Sequence, residues 1–430
     1  MTGQNRESQP KNPAQASTCR FCGEGLSLSF VDLGSSPLCQ KHVPLAKAQE
    51  AEPFFPLHAY VCSKCWLVQL DEFVVPSAIF GDGEYAYFAS FSDSWLAHAR
   101  RYVDAVSERF HLGKDSFVVE IASNDGYLLQ NFVQRGVPVL GIEPASNCAA
   151  AAREKGVESR VCFFGTETAK QLVKEGKKPD LLLGNNVLAH VPDLNDFVGG
   201  MKLLLKETGV LTMEFPHLVR LIAENQFDTI YHEHFSYFSF TTVKRIFAQH
   251  GLRLFDVEEL PTHGGSLRIY GCHADARQPN ASHADTKNVA ALLAQEAQLG
   301  VETPAYYTNF AENVRETKRK LLEFLIGAKR AGKTVVGYGA PGKGNTLLNY
   351  CGIRQDFVDY TVDRSPHKQN NLLPGSRIPI HAPEKIFETK PDYILILPWN
   401  LREEIMKQMA DVRKWGCKFV VPIPAAKVFE

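Results

Sequence analysis

The stretch Val118-Val-Glu-Ile-Ala-Ser-Asn-Asp-Gly-Tyr127 decides the fold of this chain. Its apolar run predicts a buried strand over residues 117–122, and the polar residues 123–126 predict a turn that leads into a helix. Backbone N–H groups at the start of such a helix can meet a ligand carboxylate. The turn does not have the dinucleotide fingerprint G-x-G-x-x-G, so a different kind of ligand is expected.

Acidic side chains stand near the ends of the first two predicted strands. Glu120 lies near the end of the first, where its carboxylate can face the ammonium group of a ligand. Glu143 follows the second strand, predicted over 137–142, at the position where an acid binds ribose hydroxyls. With the turn, these residues predict a nucleoside ligand, although Asn-Asp-Gly also forms turns for conformational reasons alone.

Strands and helices alternate in two successive units. The first unit has predicted strands over 117–122, 137–142, 180–184 and 209–214, then an antiparallel pair over 252–258 and 266–270. The second has predicted strands over 334–338, 357–362, 393–397 and 419–423. Helix is predicted over most of 85–110 and over 304–330, and a linker or surface helix over 275–303. This alternation predicts mostly parallel sheets covered on both faces, here two Rossmann-like units with a cleft between them.

Two CxxC pairs, Cys19 with Cys22 and Cys62 with Cys65, precede the first unit. Their thiolates can complete a tetrahedral zinc shell with no open position, so the predicted zinc is structural. Unrelated cysteines in a reducing cell are the alternative. The residues between the pairs are not basic enough to favour nucleic-acid binding.

The composition narrows the class of protein. Lys and Arg total 47 against 48 Asp and Glu, a formal net charge of -1, which argues against a broad basic face for nucleic acid. No apolar run approaches the roughly 18 residues of a membrane span, and residues 1–17 have the composition of a disordered polar tail rather than of a signal peptide. We therefore expect a cytoplasmic protein with reduced thiols, no nucleic-acid partner and no membrane association. The sequence does not fix the oligomeric state; a monomer is expected.

The segment Asp228-Thr-Ile-Tyr-His-Glu-His-Phe-Ser-Tyr237 concentrates titratable side chains. If it is extended, Tyr231 and Glu233 share one face, and His232 and His234 share the other. If it is looped, Tyr231 and His234 can converge. Such groups beside apolar residues suit proton abstraction near neutral pH. The alternatives are a hydrogen-bonded cluster that stabilises a loop, or a second metal site at the two histidines, for which no third ligand is evident.

Three further side chains have both a functional and a structural interpretation. His190 follows the strand predicted over 180–184 and faces the mouth of the cleft, although a packing role is equally open. Tyr85 and Tyr87 can form aromatic walls over the site or core contacts at a domain junction.

Taken in order, these features resemble the nucleoside-diphosphate-hexose 3-C-methyltransferases, enzymes that act on deoxysugar nucleotides. The resemblance extends from about Cys19 to the C-terminus. It is carried by the CxxC pairs and by EIASNDGYLL, GIEPA, NNVLAHVPDLNDFV, YHEHFSYFS, HGGSLR, GYGAPGKGNTLLN, DRSPHKQ and LPWN. Asn370-Asn371 departs from it, because a glycine is expected there in relatives.

The resemblance implies an α/β protein with three folded parts. These are a zinc-binding module over 18–74, a Rossmann-like S-adenosylmethionine (SAM) methyltransferase domain over 75–275, and a second Rossmann-like, substrate-binding domain over 276–430. It implies that SAM is bound by Glu120, Ala122, Asn124, Glu143 and Asn186. It places Tyr85, His190, Tyr231, Glu233 and His234 in the active site, and Gly339, Lys343 and Asn345 on the nucleotide-sugar substrate, whose pyrophosphate would face the Gly339–Gly344 turn.

The implied reaction is SAM-dependent C-methylation of a 4-keto deoxysugar nucleotide, at C-3 of a dTDP-linked hexose. A ketone acidifies the neighbouring carbon, a base removes its proton, and the enolate takes up the methyl group. We expect His234 as the base, with Tyr231 as the alternative and with Glu233 tuning it or steadying the enolate oxygen. Other readings are an O- or N-methyltransferase on a non-sugar metabolite, or a non-catalytic zinc-ribbon binding protein.

Overall fold

The computed structural model describes residues 17–72, 74, 85, 88–275 and 283–430. The predicted tail falls outside these residues except for Ser17, whose hydroxyl donates to the Asp71 carboxylate at 2.5 Å. Tyr87 also lies outside them. In the described part of the chain, no helix combines the length and the hydropathy that a bilayer span requires.

The N-terminal module is a small antiparallel sheet that carries the cysteine pairs. Its strands are β1 (Leu28–Ser36), β2 (Val43–Pro44), β3 (Phe55–Val61) and β4 (Val68–Leu70). Along β3, Leu57, Ala59 and Val61 are buried at every second position, the period of a strand with one face on a core. The sheet order is β1-β3-β4, and its fourth strand, Ser236–Tyr237, comes from the first unit.

The first unit is a seven-stranded sheet with helices on both faces. Its helices are α1 (Asp93–Phe110), α2 (Leu129–Val133), α3 (Ser146–Glu154), α4 (Thr166–Lys174), α5 (Leu194–Leu204), α6 (Leu218–Ala223) and α7 (Phe240–Gln249). Its strands are β5 (Val118–Ile121), β6 (Val139–Ile142), β7 (Ser159–Arg160), β8 (Leu181–Asn185), β9 (Val210–Pro216), β11 (Leu252–Leu260) and β12 (Ser266–His273), while β10 (Ser236–Tyr237) joins the module sheet. The order is β11-β12-β9-β8-β5-β6-β7, parallel from β7 to β9 and antiparallel at β12 and β11.

The second unit is a six-stranded sheet of Rossmann type. Its helices are α8 (Lys287–Leu299), α9 (Pro304–Thr308), α10 (Phe310–Arg330), α11 (Gly342–Cys351), α12 (Lys385–Thr389) and α13 (Arg402–Gln408). Its strands are β13 (Val335–Tyr338), β14 (Thr361–Val362), β16 (Ile380–His381), β17 (Tyr393–Ile396), β18 (Lys418–Val421) and β19 (Lys427–Phe429), while β15 (Asn371–Leu372) pairs with β2 of the module. The sheet order is β16-β14-β13-β17-β18-β19. From β13 the chain first adds strands on one side and then, from β17, on the other, although β13 and β17 are themselves parallel. This switch creates a crevice at the carboxyl ends of the two strands.

Short 3-10 turns complete the described elements. They lie at Leu45–Lys47, Ala89–Phe91, Leu188–His190, Phe227–Thr229, Thr262–Gly264, Trp399–Leu401 and Ala410–Trp415. Several of them carry side chains of the site described below.

The predicted strands all occur, with shifted ends, but three local expectations differ. The helix predicted over 304–330 is interrupted at Asn309, a weak helix former with φ −89° and ψ −8°. The strand predicted over 357–362 contains only β14, because the amides of Phe357 and Val358 donate to the Arg354 carbonyl in a turn. The turn predicted over Gly339–Gly344 is shorter, since α11 already begins at Gly342.

Two apolar cores join the module to both units. Leu67 and the cysteines Cys19, Cys62 and Cys65 pack into the core of the first unit. Phe30 and other residues of β1 and β3 pack with the second unit, where the Phe30 ring stacks on Phe310 at 4.3 Å between centroids. The module therefore packs against both units.

Helix α8 packs on the first unit although it follows the predicted domain boundary at 275/276. Glu296 of α8 is fully buried and accepts from the amides of Phe240 and Thr241 at 2.7 Å each, and from His217 at 2.8 Å. It thus satisfies donors at the start of α7 that have no partner within the helix. The boundary itself stays a prediction.

Asn370 has a left-handed backbone, with φ 60°. Glycine adopts this conformation most easily and asparagine comes next. Asparagine is therefore compatible with the backbone at this position, where a glycine is expected in relatives.

Candidate active site and metal centre

The cysteine pairs converge on one point. All four sulfur atoms lie within 4.8 Å of one another, with 3.5 Å between Cys19 and Cys65 and 3.5 Å between Cys22 and Cys62. A tetrahedral shell with Zn–S bonds of about 2.3 Å separates its sulfurs by about 3.8 Å, so the cluster fits one zinc ion. Gln69 donates to the Cys19 sulfur at 3.2 Å and orients it from outside the shell.

A cavity of about 1040 Å³ lies between the two units and under the edge of the module. Most of the predicted site residues line it, namely Tyr85, Ala122, Asn124, Glu143, Asn186, His190, Tyr231, Glu233, His234 and Lys343. Glu120, Gly339 and Asn345 are described residues that do not line it.

The turn after β5 forms one wall of the cavity. Ala122 and Asn124 have left-handed backbones, with φ 58° and 50°. The Glu143 carboxylate accepts from the amides of Asn124 at 2.9 Å and Ala145 at 2.8 Å, which ties the end of β6 to this turn. Burial raises the pKa of Glu143 to about 7. The wall therefore combines the Glu143 acid at the end of β6 with the side-chain amide of Asn124, whose Oδ1 accepts from the Ala89 amide at 2.9 Å.

Glu120 lies behind this wall. It is fully buried, and neither carboxylate oxygen has a hydrogen-bond partner among the described residues. Burial, followed by the neighbouring Glu143 and Asp125, raises its pKa well above the ordinary range. Because it does not reach the cavity, it can act on a ligand there only through the residues in front of it.

Asn186 presents a side-chain amide to the same wall. Its backbone is left-handed, with φ 55°, and its backbone N–H donates to the Glu214 backbone carbonyl at 2.7 Å. Its Nδ2 lies 3.0 Å from His263 Nε2, and its buried Oδ1 has no partner among the described residues.

The segment 228–237 adopts the looped alternative. The His234 amide donates to the Tyr231 carbonyl at 2.8 Å, and this turn brings the two rings to 4.0 Å between centroids. The His190 ring lies 4.6 Å from His234, edge to face. His232 points away, with Nε2 at 3.1 Å from the Pro56 carbonyl of the module, so it does not converge with His234 on a metal.

The tautomer of His234 follows from its hydrogen bond. Nδ1 lies 2.8 Å from the Thr229 carbonyl, which can only accept, so Nδ1 carries the proton and Nε2 carries the lone pair. Burial first, then the nearby His190, hold the pKa of His234 well below the ordinary imidazole value. The ring is therefore neutral near pH 7 and can accept a proton.

Glu233 meets Tyr85 and a residue that the sequence analysis missed. Its carboxylate accepts from the Tyr85 hydroxyl and from the Cys39 thiol, each at 3.3 Å. Burial raises the pKa of Glu233 to about 7. Cys39 and its neighbour Gln40, which lines the cavity, belong to the module, and no motif marks them.

Lys343 stands on the side of the second unit. Its ammonium donates to the Asn400 amide oxygen at 3.1 Å and the His263 carbonyl at 3.3 Å, and it lies 4.5 Å over the Trp399 ring. Burial lowers its pKa to about 8. A cation thus faces the cavity at the crevice between β13 and β17.

Gly339 and Asn345 support this crevice from behind. Gly339 has φ 92°, and a Cβ there would lie 2.5 Å from Pro398 Cδ, so the turn requires glycine. Asn345 is 1% exposed, and neither polar atom of its amide has a partner among the described residues.

Models of known families match most of the chain. A zinc binding domain matches residues 19–80, a methyltransferase domain matches 95–257, and a C-methyltransferase C-terminal domain matches 261–424. C-methyltransferase NovU of Streptomyces niveus is 38% identical over 410 residues, which cover 95% of this chain and 96% of that protein.

More distant similarities cover only part of the chain. A ubiquinone biosynthesis O-methyltransferase of Rhodopseudomonas palustris is 27% identical over 96 residues, 22% of this chain and 38% of that protein. The crystal structure of magnesium protoporphyrin IX methyltransferase from Synechocystis PCC 6803 with bound SAM has a TM-score of 0.32 and 17% identity, over 46% of this chain and 88% of that chain.

The fold, the cavity and the tetrathiolate cluster define a SAM-dependent methyltransferase with a zinc-binding module. The chain belongs to the C-methyltransferase family. The predicted fold class and cofactors are thereby confirmed. O- or N-methylation and a non-catalytic zinc ribbon are the alternatives that this membership overturns.

The cysteine cluster generates a prediction about metal content. Purified protein should contain about one zinc per chain. Cys62→Ser should lose this zinc and lower the melting temperature, because the shell needs all its thiolates. Elemental analysis and thermal unfolding measure both effects, and Cys417→Ser, buried outside the cluster, is the control that should keep its zinc. Active protein without zinc would contradict the assignment.

The acid after β6 generates a prediction about cofactor affinity. If Glu143 binds the ribose hydroxyls, Glu143→Ala should weaken SAM binding by about 1.5–3 kcal/mol, the scale of a hydrogen bond to a charged group. Isothermal titration calorimetry measures this affinity. Glu143→Gln, which keeps an acceptor for the backbone amides of the turn, separates loss of charge from loss of the turn. Unchanged SAM affinity in both variants would show that Glu143 does not bind the ribose hydroxyls.

Proposed function

We propose that this enzyme methylates carbon on a 4-keto deoxysugar nucleotide, at C-3 of a dTDP-linked hexose, through an enolate. The observation that carries the proposal is the His234 ring, neutral and with a defined Nε2 lone pair, beside Tyr231 in a cavity shared by both Rossmann-like units. Reduced thiolates in the module favour a cytoplasmic location.

The lining of the cavity supports two ligands, because each of the two units contributes one side of it. One side is formed by the turn after β5 and by Glu143, and the other by Pro341–Lys343 at the crevice of the second unit. A cofactor on the first side and a nucleotide sugar on the second would meet beside His234.

On the cofactor side, we assign SAM to Ala122, Asn124, Glu143 and Asn186, with Glu120 acting from behind the wall. When bound, SAM supplies an electrophilic methyl group. The Glu143 acid and the Asn186 amide would orient this ligand.

On the substrate side, the residues suit an anion. Lys343 provides the charge, and the amides at the start of α11 add the positive end of a helix dipole. Gly339 builds the turn that brings these groups to the cavity, and Asn345 lies one helical turn behind. A pyrophosphate is the part of a nucleotide sugar that these groups would bind.

The reaction needs a base because a sugar carbon is nucleophilic only after a neighbouring ketone has acidified its proton. His234 Nε2 would take this proton, while the Thr229 carbonyl holds the ring in the required tautomer. Tyr231 would donate to the enolate oxygen, and Glu233, held by Tyr85 and Cys39, would tune the pair. His190 would position the His234 ring by edge-to-face contact.

Hydrogen exchange tests the enolate directly. Wild-type enzyme with a 4-keto sugar nucleotide in D₂O and S-adenosylhomocysteine should wash deuterium into the acceptor carbon, which NMR detects. His234→Asn should lose exchange and turnover by about 10²–10⁴-fold, the usual effect of a general base. Asparagine can still donate to the Thr229 carbonyl, so the loop is preserved while the basic nitrogen is removed.

Neighbouring variants assign the roles. His232→Asn is the matched control and should keep exchange, because its ring faces the module. Tyr231→Phe should retain part of the deuterium exchange. His190→Asn should retain more of it than Tyr231→Phe. Exchange that survives in His234→Asn but vanishes in Tyr231→Phe would make the tyrosine the base. A panel of keto sugar nucleotides that shows neither exchange nor a new C-methyl group would disprove the proposal.

Lys343 tests the assignment of the two sides. Lys343→Met keeps the aliphatic volume and removes the charge, so it should raise the KM of the sugar nucleotide by about tenfold, the scale of a charge-assisted hydrogen bond. SAM affinity should not change. Lys329→Met, whose ammonium pairs with Asp359 at 2.9 Å outside the cavity, is the control. If the variant instead bound SAM more weakly and kept its KM for the sugar nucleotide, the second unit would be the one that binds the cofactor.

A further inference from the structure

The turn between β11 and β12, residues Thr262–Gly264, reaches into the cavity from the first unit. Its central residue, His263, lines the cavity between the cofactor side and the substrate side. The turn belongs to the HGGSLR motif, to which the proposed reaction assigns no role.

The backbone of this turn is held in an unusual conformation. His263 has φ 54°, a left-handed value that costs energy for a residue other than glycine. The turn is fixed from several directions: Thr262 donates to the Glu214 carboxylate at 2.8 Å, and Gln226 donates to the Gly264 carbonyl at 2.6 Å. A Cβ at Gly264 would lie 2.5 Å from the Trp399 ring, so only glycine allows the turn to approach the second unit this closely.

The His263 ring contacts the cofactor side. Its Nε2 lies 3.0 Å from Asn186 Nδ2, and because an amide nitrogen only donates, Nε2 is the acceptor and Nδ1 carries the proton. Burial, with Lys343 nearby, lowers the pKa of His263 to about 4, so the ring stays neutral and keeps this role near pH 7. The ring also packs on Trp95 in an edge-to-face arrangement, at 4.9 Å between centroids.

The contact decides which way the Asn186 amide faces. With Nδ2 donating to the imidazole, Oδ1 is the atom left for a ligand, and it is buried with no partner among the described residues. A buried acceptor of this kind is costly until a donor reaches it. The ammonium group of an amino-acid ligand is such a donor.

The His263 carbonyl contacts the substrate side, since it accepts from Lys343 Nζ at 3.3 Å. Ring and carbonyl therefore act on different partners. A change of side chain that the left-handed backbone tolerates removes the first contact and leaves the second in place.

We propose that His263 is a positioning residue that fixes the Asn186 amide so that Oδ1 faces the donor groups of SAM, while its carbonyl holds Lys343. The inference rests on the proposed role of Asn186 in binding SAM. It predicts that the ring serves the cofactor and not the sugar nucleotide.

The test uses His263→Gly in the full-length enzyme, because glycine accepts φ 54° and keeps the carbonyl. SAM and S-adenosylhomocysteine should bind about tenfold more weakly by calorimetry, the scale of one buried hydrogen bond. The KM of the acceptor should stay within about twofold, and added imidazole should restore affinity by filling the vacated space. His263→Asn also tolerates a left-handed backbone but is too short to reach Asn186, so it should repeat the loss if the glycine variant unfolds.

A double-mutant cycle separates this inference from the proposal beneath it. If His263 acts through Asn186, His263→Gly should cost no further affinity in an Asn186→Ala background. If Asn186→Ala weakens SAM binding but the His263 variants bind normally, or if the effects simply add, the inference is wrong and the role of Asn186 stands. If Asn186→Ala itself binds SAM normally, the proposed cofactor contact is wrong and this inference falls with it.

Discussion

The pairing of Ser236–Tyr237 with Val68–Gln69 of the zinc module is the interaction on which the active-site turn depends. Directly before this strand, the Phe235 carbonyl accepts from the Leu70 amide at 3.0 Å and the Phe235 amide donates to the Ala189 carbonyl at 2.7 Å. The residues that follow His234 are thus hydrogen-bonded to the module on one side and to the first unit on the other. A turn held in this way keeps the His234 and Tyr231 rings in contact, as the proposed proton transfer would require.

This arrangement gives the zinc module a part in the site, although its metal shell has no open position. The tetrathiolate closes the loop between β3 and β4, and β4 is the strand that binds Ser236–Tyr237. The same module supplies Cys39 to the Glu233 carboxylate. A buried carboxylate without donors is costly by about 1–3 kcal/mol or more, so the module also stabilises the charge of a site residue. The zinc is therefore structural, and by fixing β4 it helps to hold the turn that carries His234.

Local sequence pattern was sufficient for most of the strands and for the two CxxC pairs, because each depends on neighbours in the chain. The apolar run before Ser123 predicted a buried strand, which is observed as β5, and Glu143 was predicted from the end of the next strand. The pattern could not choose between the extended and looped forms of 228–237, since the decision comes from β4, far away in sequence. For the same reason it missed Cys39, Gln40 and His263, whose positions are set by packing between units. It also predicted a ligand contact for Glu120, which is buried and does not line the cavity, so that contact stays a prediction.

Opposite pKa shifts around the cavity reveal how the site controls charge. Burial lowers the pKa of the histidines, to about 4 for His190 and well below the ordinary value for His234, and raises that of Glu233 to about 7. A proton taken up by His234 therefore creates a cation that burial and the nearby Lys343 both oppose. This cation becomes favourable only if a negative charge develops beside it at the same time. A ketone next to the deprotonated carbon provides such a charge on its oxygen, whereas a substrate without one does not. If His234 is the base, as proposed, the desolvation that weakens it would restrict proton removal to a substrate with a correctly placed carbonyl group.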